Sequence, residues 1–220
     1  MKILFPLIAG ILITFISCNN ESENKTKEGN SDSTKQEMQI QQDTIIEQDT
    51  IKTENTNSIN GLSLEERIDE FRASLDKVYL EIGKSTKGEH ILETSDAVKT
   101  SMQFKKNSTV KYGDVEGIYP VANIFVYKFE DETKCNITFE KWLDCFGGEC
   151  DKIKVGENKK AIKMPPMYVI KNNEEIIVLK YLCEHQENNW SDFKSNMFLW
   201  FGNENSKVIN IACGGPLIWE

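Results

Sequence analysis

Six cysteines and two histidines carry most of the reactive chemistry open to this 220-residue chain. Five of the cysteines, Cys135, Cys145, Cys150, Cys183 and Cys213, lie in its second half. A thiolate can attack an electrophile, hold a metal or be oxidised to a disulfide, and spacing narrows the choice. Nucleophilic catalysis needs a base. His90 and His185 are the histidines on offer, and no Gly-x-Ser-x-Gly elbow supplies a serine alternative. For zinc, Cys183-Glu184-His185 with Cys145 and Cys150 holds suitable atoms, yet no Cys-x2-Cys or His-x3-His pair sets the ligand spacing. Gly83-Lys84-Ser85 ends like a phosphate loop, but the residue five places before Gly83 is Val78, where such a loop needs glycine. A catalytic carboxylate pair must be assembled by the fold, and none of the 35 acidic residues is singled out by position. The expectation is no cofactor, no metal and no readable catalytic group.

Which fate the thiols meet depends on the compartment, and the N-terminus addresses that. Met1-Lys2 precedes an uncharged, mostly apolar run from Ile3 to Ile16, then Ser17-Cys18-Asn19-Asn20. A basic start, a short apolar stretch and a small residue before a cut describe a secretory signal, and the run is shorter than the ~20 residues a membrane-spanning helix needs. Phe15-Ile16-Ser17-Cys18 resembles a bacterial lipobox. The resemblance implies cleavage after residue 17, acylation of the Cys18 thiol (palmitate or a similar chain) and anchoring in the cell envelope. Asn19 and Asn20 lack the Asp that often retains such lipoproteins at the inner membrane, so the outer membrane is the expected location, with its side open.

Residues 18–60 read as a tether. Positions 19–60 hold nine acidic residues against four lysines and no Trp, Tyr, Phe, Cys or Pro. Such a segment buries too little apolar area to offset the entropy of ordering. Within it, Gln42-Asp43-Thr44-Ile45 and Gln48-Asp49-Thr50-Ile51 repeat. Each Asp-Thr-Ile, with Asp32-Ser33-Thr34, resembles the acceptor triplet of a bacterial O-glycosylation system, which would make Ser33, Thr44 and Thr50 acceptors. Ordinary disordered composition explains the same residues equally well.

The elements that must position any chemistry begin near Gly61, and residues 61–220 read as one α+β domain: an antiparallel sheet with about three helices. Ser63 and Glu66 have capping-box spacing, and Leu64, Ile68, Phe71, Leu75, Val78 and Ile82 form one stripe of a helix ended by Gly83. After a polar stretch, Val110–Tyr112 and Val121–Phe129 are strand-like. A second helix spans Thr133–Phe146 with Cys135, Phe139 and Trp142 on one face. Met167–Ile170 and Ile176–Cys183 flank Asn172-Asn173 as a hairpin, Trp190 to Phe201 has helical spacing, and Val208–Cys213 is a last strand. The cluster of Trp190, Trp200 and Trp219 could stack on sugars or anchor a protein, but core packing explains the spacing more simply.

In an oxidising envelope the cysteines favour disulfides over zinc. Cys135 and Cys145 on one helix would stand about 15 Å apart, too far to bridge. Cys145 and Cys150 flank a Gly-Gly turn and can meet, and Cys183 and Cys213 end strands that could be neighbours. Cys135 is left as a buried small hydrophobe. The net charge of −9 argues against a nucleic-acid partner, and none is expected. The expected partners are the membrane, through the lipid, and an envelope protein or glycan ligand bound without catalysis. The competing expectation is a carboxylate-based envelope hydrolase.

Overall fold

The computed structural model describes residues 59, 61–75, 77–85, 87–147, 150–183 and 190–220. The signal peptide, Cys18, the acceptor sites Ser33, Thr44 and Thr50, the tether up to residue 58, and Glu184-His185 lie outside the described residues. Among the described residues, four helices accompany a seven-stranded sheet and a separate two-stranded one, an α+β architecture.

Helix α1 (Leu64–Leu75) starts where the capping box places it. The Ser63 N–H donates to Glu66 Oε2 at 2.7 Å, and the Glu66 N–H donates to Ser63 Oγ at 3.3 Å. Its buried face is Ile68, Phe71 and Leu75. The helix stops there rather than at Gly83: Tyr79–Gly83 is strand β1. The stripe misleads because Val78-Tyr79-Leu80-Glu81-Ile82 also satisfies a period of two. Tyr79 is buried against Trp190 and Phe193, with ring centroids 5.7 and 4.9 Å away, while Val78, Leu80 and Ile82 are exposed.

Strand β2 (Val98–Lys106) lies in the stretch that reads as polar. Only Met102 and Phe104 of its nine residues are fully buried, because one face of this strand carries Lys99, Ser101 and Gln103. A small hairpin, β3 (Val110–Tyr112) with β4 (Val115–Ile118), leads into β5 (Val121–Lys128). Then come helix α3 (Glu132–Asp144), β6 (Met167–Lys171), β7 (Glu175–Tyr181), helix α4 (Ser191–Phe201), β8 (Lys207–Ile211) and β9 (Leu217–Trp219). A short helix, α2 (His90–Glu93), lies between β1 and β2. The strand order is β1-β2-β5-β7-β6-β8-β9, with every neighbouring pair antiparallel. Strand β7 occupies the middle and is buried on both faces, which explains its unbroken Ile176-Ile177-Val178-Leu179 run.

Each face of the sheet is covered by its own core. On one side Phe71 of α1 and Phe193, Met197 and Phe201 of α4 pack over Phe104, Ile124, Ile177 and Leu179. Phe71 meets Phe193 and Phe201 edge-on at 5.6 and 5.2 Å. On the other side Cys135, Phe139, Trp142 and Leu143 of α3 pack over Phe125, Val169, Val178 and Ile209. Close approach forces glycine at one crossing. A Cβ on Gly215, where φ is +83°, would lie 2.5 Å from Ala161 Cα.

Both expected disulfides are present, Cys145–Cys150 and Cys183–Cys213. The second does not join neighbouring strands. Strand β6 lies between β7 and β8, and the bridge closes beyond its first residue, Met167, where the Cα atoms come within 5.3 Å. Its members are 30 residues apart against five for the other pair, so chain entropy gives it about 3–4 kcal/mol against about 2. Denaturant titration of Cys183→Ser/Cys213→Ser should therefore show the larger loss, and a non-reducing peptide map should recover both linked pairs. Five alkylatable thiols in envelope-purified protein would contradict both assignments.

Candidate functional site

A cleft of about 320 Å³ opens where four elements end together. The end of β5 supplies Lys128, the first turns of α1 supply Arg67, the β6–β7 turn supplies Asn172 to Glu175, and the end of α4 supplies Trp200 and Phe201. Local hydrogen bonds set each piece. The Asn172 N–H donates to Glu175 O at 3.0 Å and the Phe129 N–H to Glu174 O at 2.8 Å, closing the turn. The Asn172 side chain donates to Phe201 O at 2.8 Å, which satisfies an orphan carbonyl at the end of α4 and ties turn to helix.

The floor of this arrangement is Glu175, only 3% exposed. It accepts from Arg67 Nη2 at 2.6 Å and from Asn172 Nδ2 at 3.3 Å, with Lys128 Nζ 3.5 Å away. Lys128 also donates to Glu174 at 2.6 Å. Burial pulls the Lys128 amine down, but Glu174 and Glu175 together outweigh it and hold the amine above its ordinary range. Arg67 rests over the Phe201 ring, with Cζ 6.0 Å from the centroid. A general acid must present a proton, whereas these carboxylates accept from cations and an amide.

A second carboxylate cluster sits on the opposite face. Glu89 accepts from Lys180 Nζ at 2.5 Å and from Trp142 Nε1 at 3.3 Å. Tyr127 accepts the Glu89 N–H at 3.3 Å and donates its hydroxyl to Glu93 Oε1 at 2.7 Å, and Lys99 pairs with the other Glu93 oxygen. Burial raises the Glu93 carboxyl, yet the hydrogen bonds from Lys99 and Tyr127 prevail and hold it below the usual range. Burial first, then the bond to ionised Glu93, push the Tyr127 phenol far upward. The space beside Gly88 is filled. A Cβ on Gly88 would stand 1.8 Å from Glu93 Oε1 and 2.3 Å from the Tyr127 hydroxyl. This network clamps the segment around α2 onto the sheet.

The residues with readable chemistry are distributed elsewhere. Cys145, Cys150, Cys183 and Cys213 are oxidised in pairs and present no thiolate to a metal. Among the described residues no three His, Cys, Asp or Glu side chains cluster as metal ligands would. Cys135 is free and buried, and desolvation pushes its thiol up to about 11, so it is unreactive at neutral pH. His90 is exposed at the start of α2, and Gly83 ends a strand. Trp190 belongs to the core, Trp219 donates its indole N–H to Glu157 O at 3.2 Å, and Trp200 alone of the three lines the cleft. Sequence reasoning missed Arg67, Lys128, Glu174 and Glu175. The available signal was an acid, Glu175, opening an otherwise apolar strand, since a charge there must find a partner.

No protein-family model, no curated protein and no solved structure matches this chain.

Since Glu93 titrates below its ordinary range in the folded protein, its ionised form stabilises at neutral pH, above an unfolded value of about 4.3. That contribution fades as pH falls through the lower folded value. Glu93→Gln should cost about 1 kcal/mol at neutral pH. Thermal melts taken from pH about 7 down to about 3 should show the gap between wild type and variant closing on the acid side. A gap that widens there would contradict the network.

Proposed function

We propose that this chain is a lipid-anchored protein of the bacterial cell envelope. Its α+β domain binds an envelope partner or ligand without turning it over. Cys18 carries the acyl chains, in the outer membrane, and residues 18–60 act as a spacer, with Ser33, Thr44 and Thr50 as candidate glycan acceptors. The observation that carries the non-catalytic part is the state of the cleft: Glu175 is buried and held by Arg67, Lys128 and Asn172 at once. An acid–base pair works by holding two carboxyls in different protonation states. Here each carboxylate is instead bonded to a cation, Glu175 to Arg67 and Glu174 to Lys128. The disulfides Cys145–Cys150 and Cys183–Cys213 support an oxidising compartment, since cytosolic thiols are kept reduced.

The tether explains why such a domain would sit on a lipid. A chain of about 40 residues lets the cleft search a volume around its anchor, at an effective concentration set by the spacer. Carboxylate-based hydrolysis is the second reading, and the Glu174-Glu175 pair beside a cleft is what favours it.

In the native host, Cys18→Ala should abolish labelling by an alkyne-tagged fatty acid and change processing, the uncut precursor running as a heavier band. Wild-type protein in the aqueous phase on detergent phase separation, with its signal cut elsewhere, would contradict the anchor.

A further inference from the structure

We propose that the cleft between α1, α4 and the β6–β7 turn takes a neutral glycan, an assignment that rests on the binding reading above and names its ligand. Size comes first. About 320 Å³ is at the small end of ligand pockets, which span about 300–1,000 Å³, and it suits a short stretch of sugar chain. A folded partner is usually met by a broad, flatter patch.

Charge selects next. The cleft holds Arg67 and Lys128 against Glu174 and Glu175, two of each sign, and the close pairs are made at 2.6 Å. An anionic ligand has to compete with a carboxylate already in place. A cationic one has to compete with Arg67 or Lys128. A neutral ligand keeps every pair, and its hydroxyls, each donor and acceptor, can bind around their rims. Nucleotides and anionic lipid headgroups need an unneutralised positive site, which this is not.

The remaining hydrogen-bonding groups fit that chemistry. Arg67 gives Glu175 one of the guanidinium's five donors, and the ring of Phe201 beneath braces its plane. Asn173 is exposed on the turn, and the Asn203 side-chain Oδ1 accepts the Asn205 N–H at 2.8 Å, which fixes that amide with its NH2 group to spare. Planar amides and a guanidinium can each span adjacent hydroxyls. Trp200 forms part of the wall, and its indole N–H is closed off from solvent with no acceptor among the described residues. A buried donor left unpaired costs about 1–3 kcal/mol, so a ligand that gave this indole an acceptor would gain from it. Aromatic faces are also the surfaces on which sugar rings stack.

The test is calorimetric titration of the full processed chain in a detergent without a sugar headgroup. The probes are neutral gluco-, manno-, galacto- and N-acetylglucosamine oligosaccharides, with galacturonic acid and glucosamine trimers as charged controls. At least one neutral series should bind, at least tenfold more tightly than either charged trimer, with little dependence on salt. Trp200→Ala should weaken that binding at least tenfold. Asn173→Asp, an exposed change that leaves the fold alone and adds a negative charge, should weaken it severalfold in its own right. No heat from any neutral series, or full affinity in both variants, would overturn the glycan assignment while leaving protein partners to a pull-down. Shortened saccharides in the titrated sample, by mass spectrometry, would uphold the glycan and overturn the non-catalytic reading instead.

Discussion

Glu175 opens the middle strand of the sheet as a carboxylate with almost no access to water, and the geometry of one whole end of the domain follows from how that charge is satisfied. An uncompensated buried charge costs several kcal/mol, so its partners must be drawn to it from separate elements. Arg67 comes from α1, Lys128 from the end of β5 and Asn172 from the turn before the strand. Asn172 also grips the last carbonyl of α4. One acceptor thus fixes two helices and two strands against one another. The cleft is the space between the parts so held.

The opposite face solves a comparable problem without leaving a cleft. Glu89 and Glu93 are also paired with lysines, but there Tyr127, Trp142 and the missing side chain of Gly88 fill the space between them. The contrast is one of packing rather than charge. Where α3 lies flat on the sheet, aromatic side chains reach the network. Beside Arg67 and the end of α4, Trp200 and Phe201 form walls and a cleft stays open.

Much of this fold was legible in periodicity. The capping box at Ser63, the hairpin about Asn172-Asn173, the helix carrying Cys135, Phe139 and Trp142, and the Cys145–Cys150 pair follow from local rules that the tertiary structure obeys. The Cys183–Cys213 pair was expected across neighbouring strands, whereas the structure closes it past the start of β6. Strands β1 and β2 were not legible, for opposite reasons. In β1, apolar residues on the exposed side of a sheet edge continue a helical stripe by coincidence. In β2, half the strand lies on an uncovered polar face, so Lys99, Ser101 and Gln103 dilute the apolar signal. The cleft was illegible because its charged residues, Arg67, Lys128, Glu174 and Glu175, are brought together from well-separated positions by the sheet order. Only Trp200 was singled out beforehand, and by residue type rather than by place.

The central claim is that Glu175 is a structural acceptor for Arg67, so that the cleft is a charge-balanced surface. A double-mutant cycle on folding stability tests this most directly, with Arg67→Met, Glu175→Gln and both together. Each single change strands a buried partner, so the double variant should be less destabilised than the two singles added, with a coupling of at least about 1.5 kcal/mol. Costs that add to within about 0.5 kcal/mol would mean the two groups act independently, and Glu175 would then be free for another role.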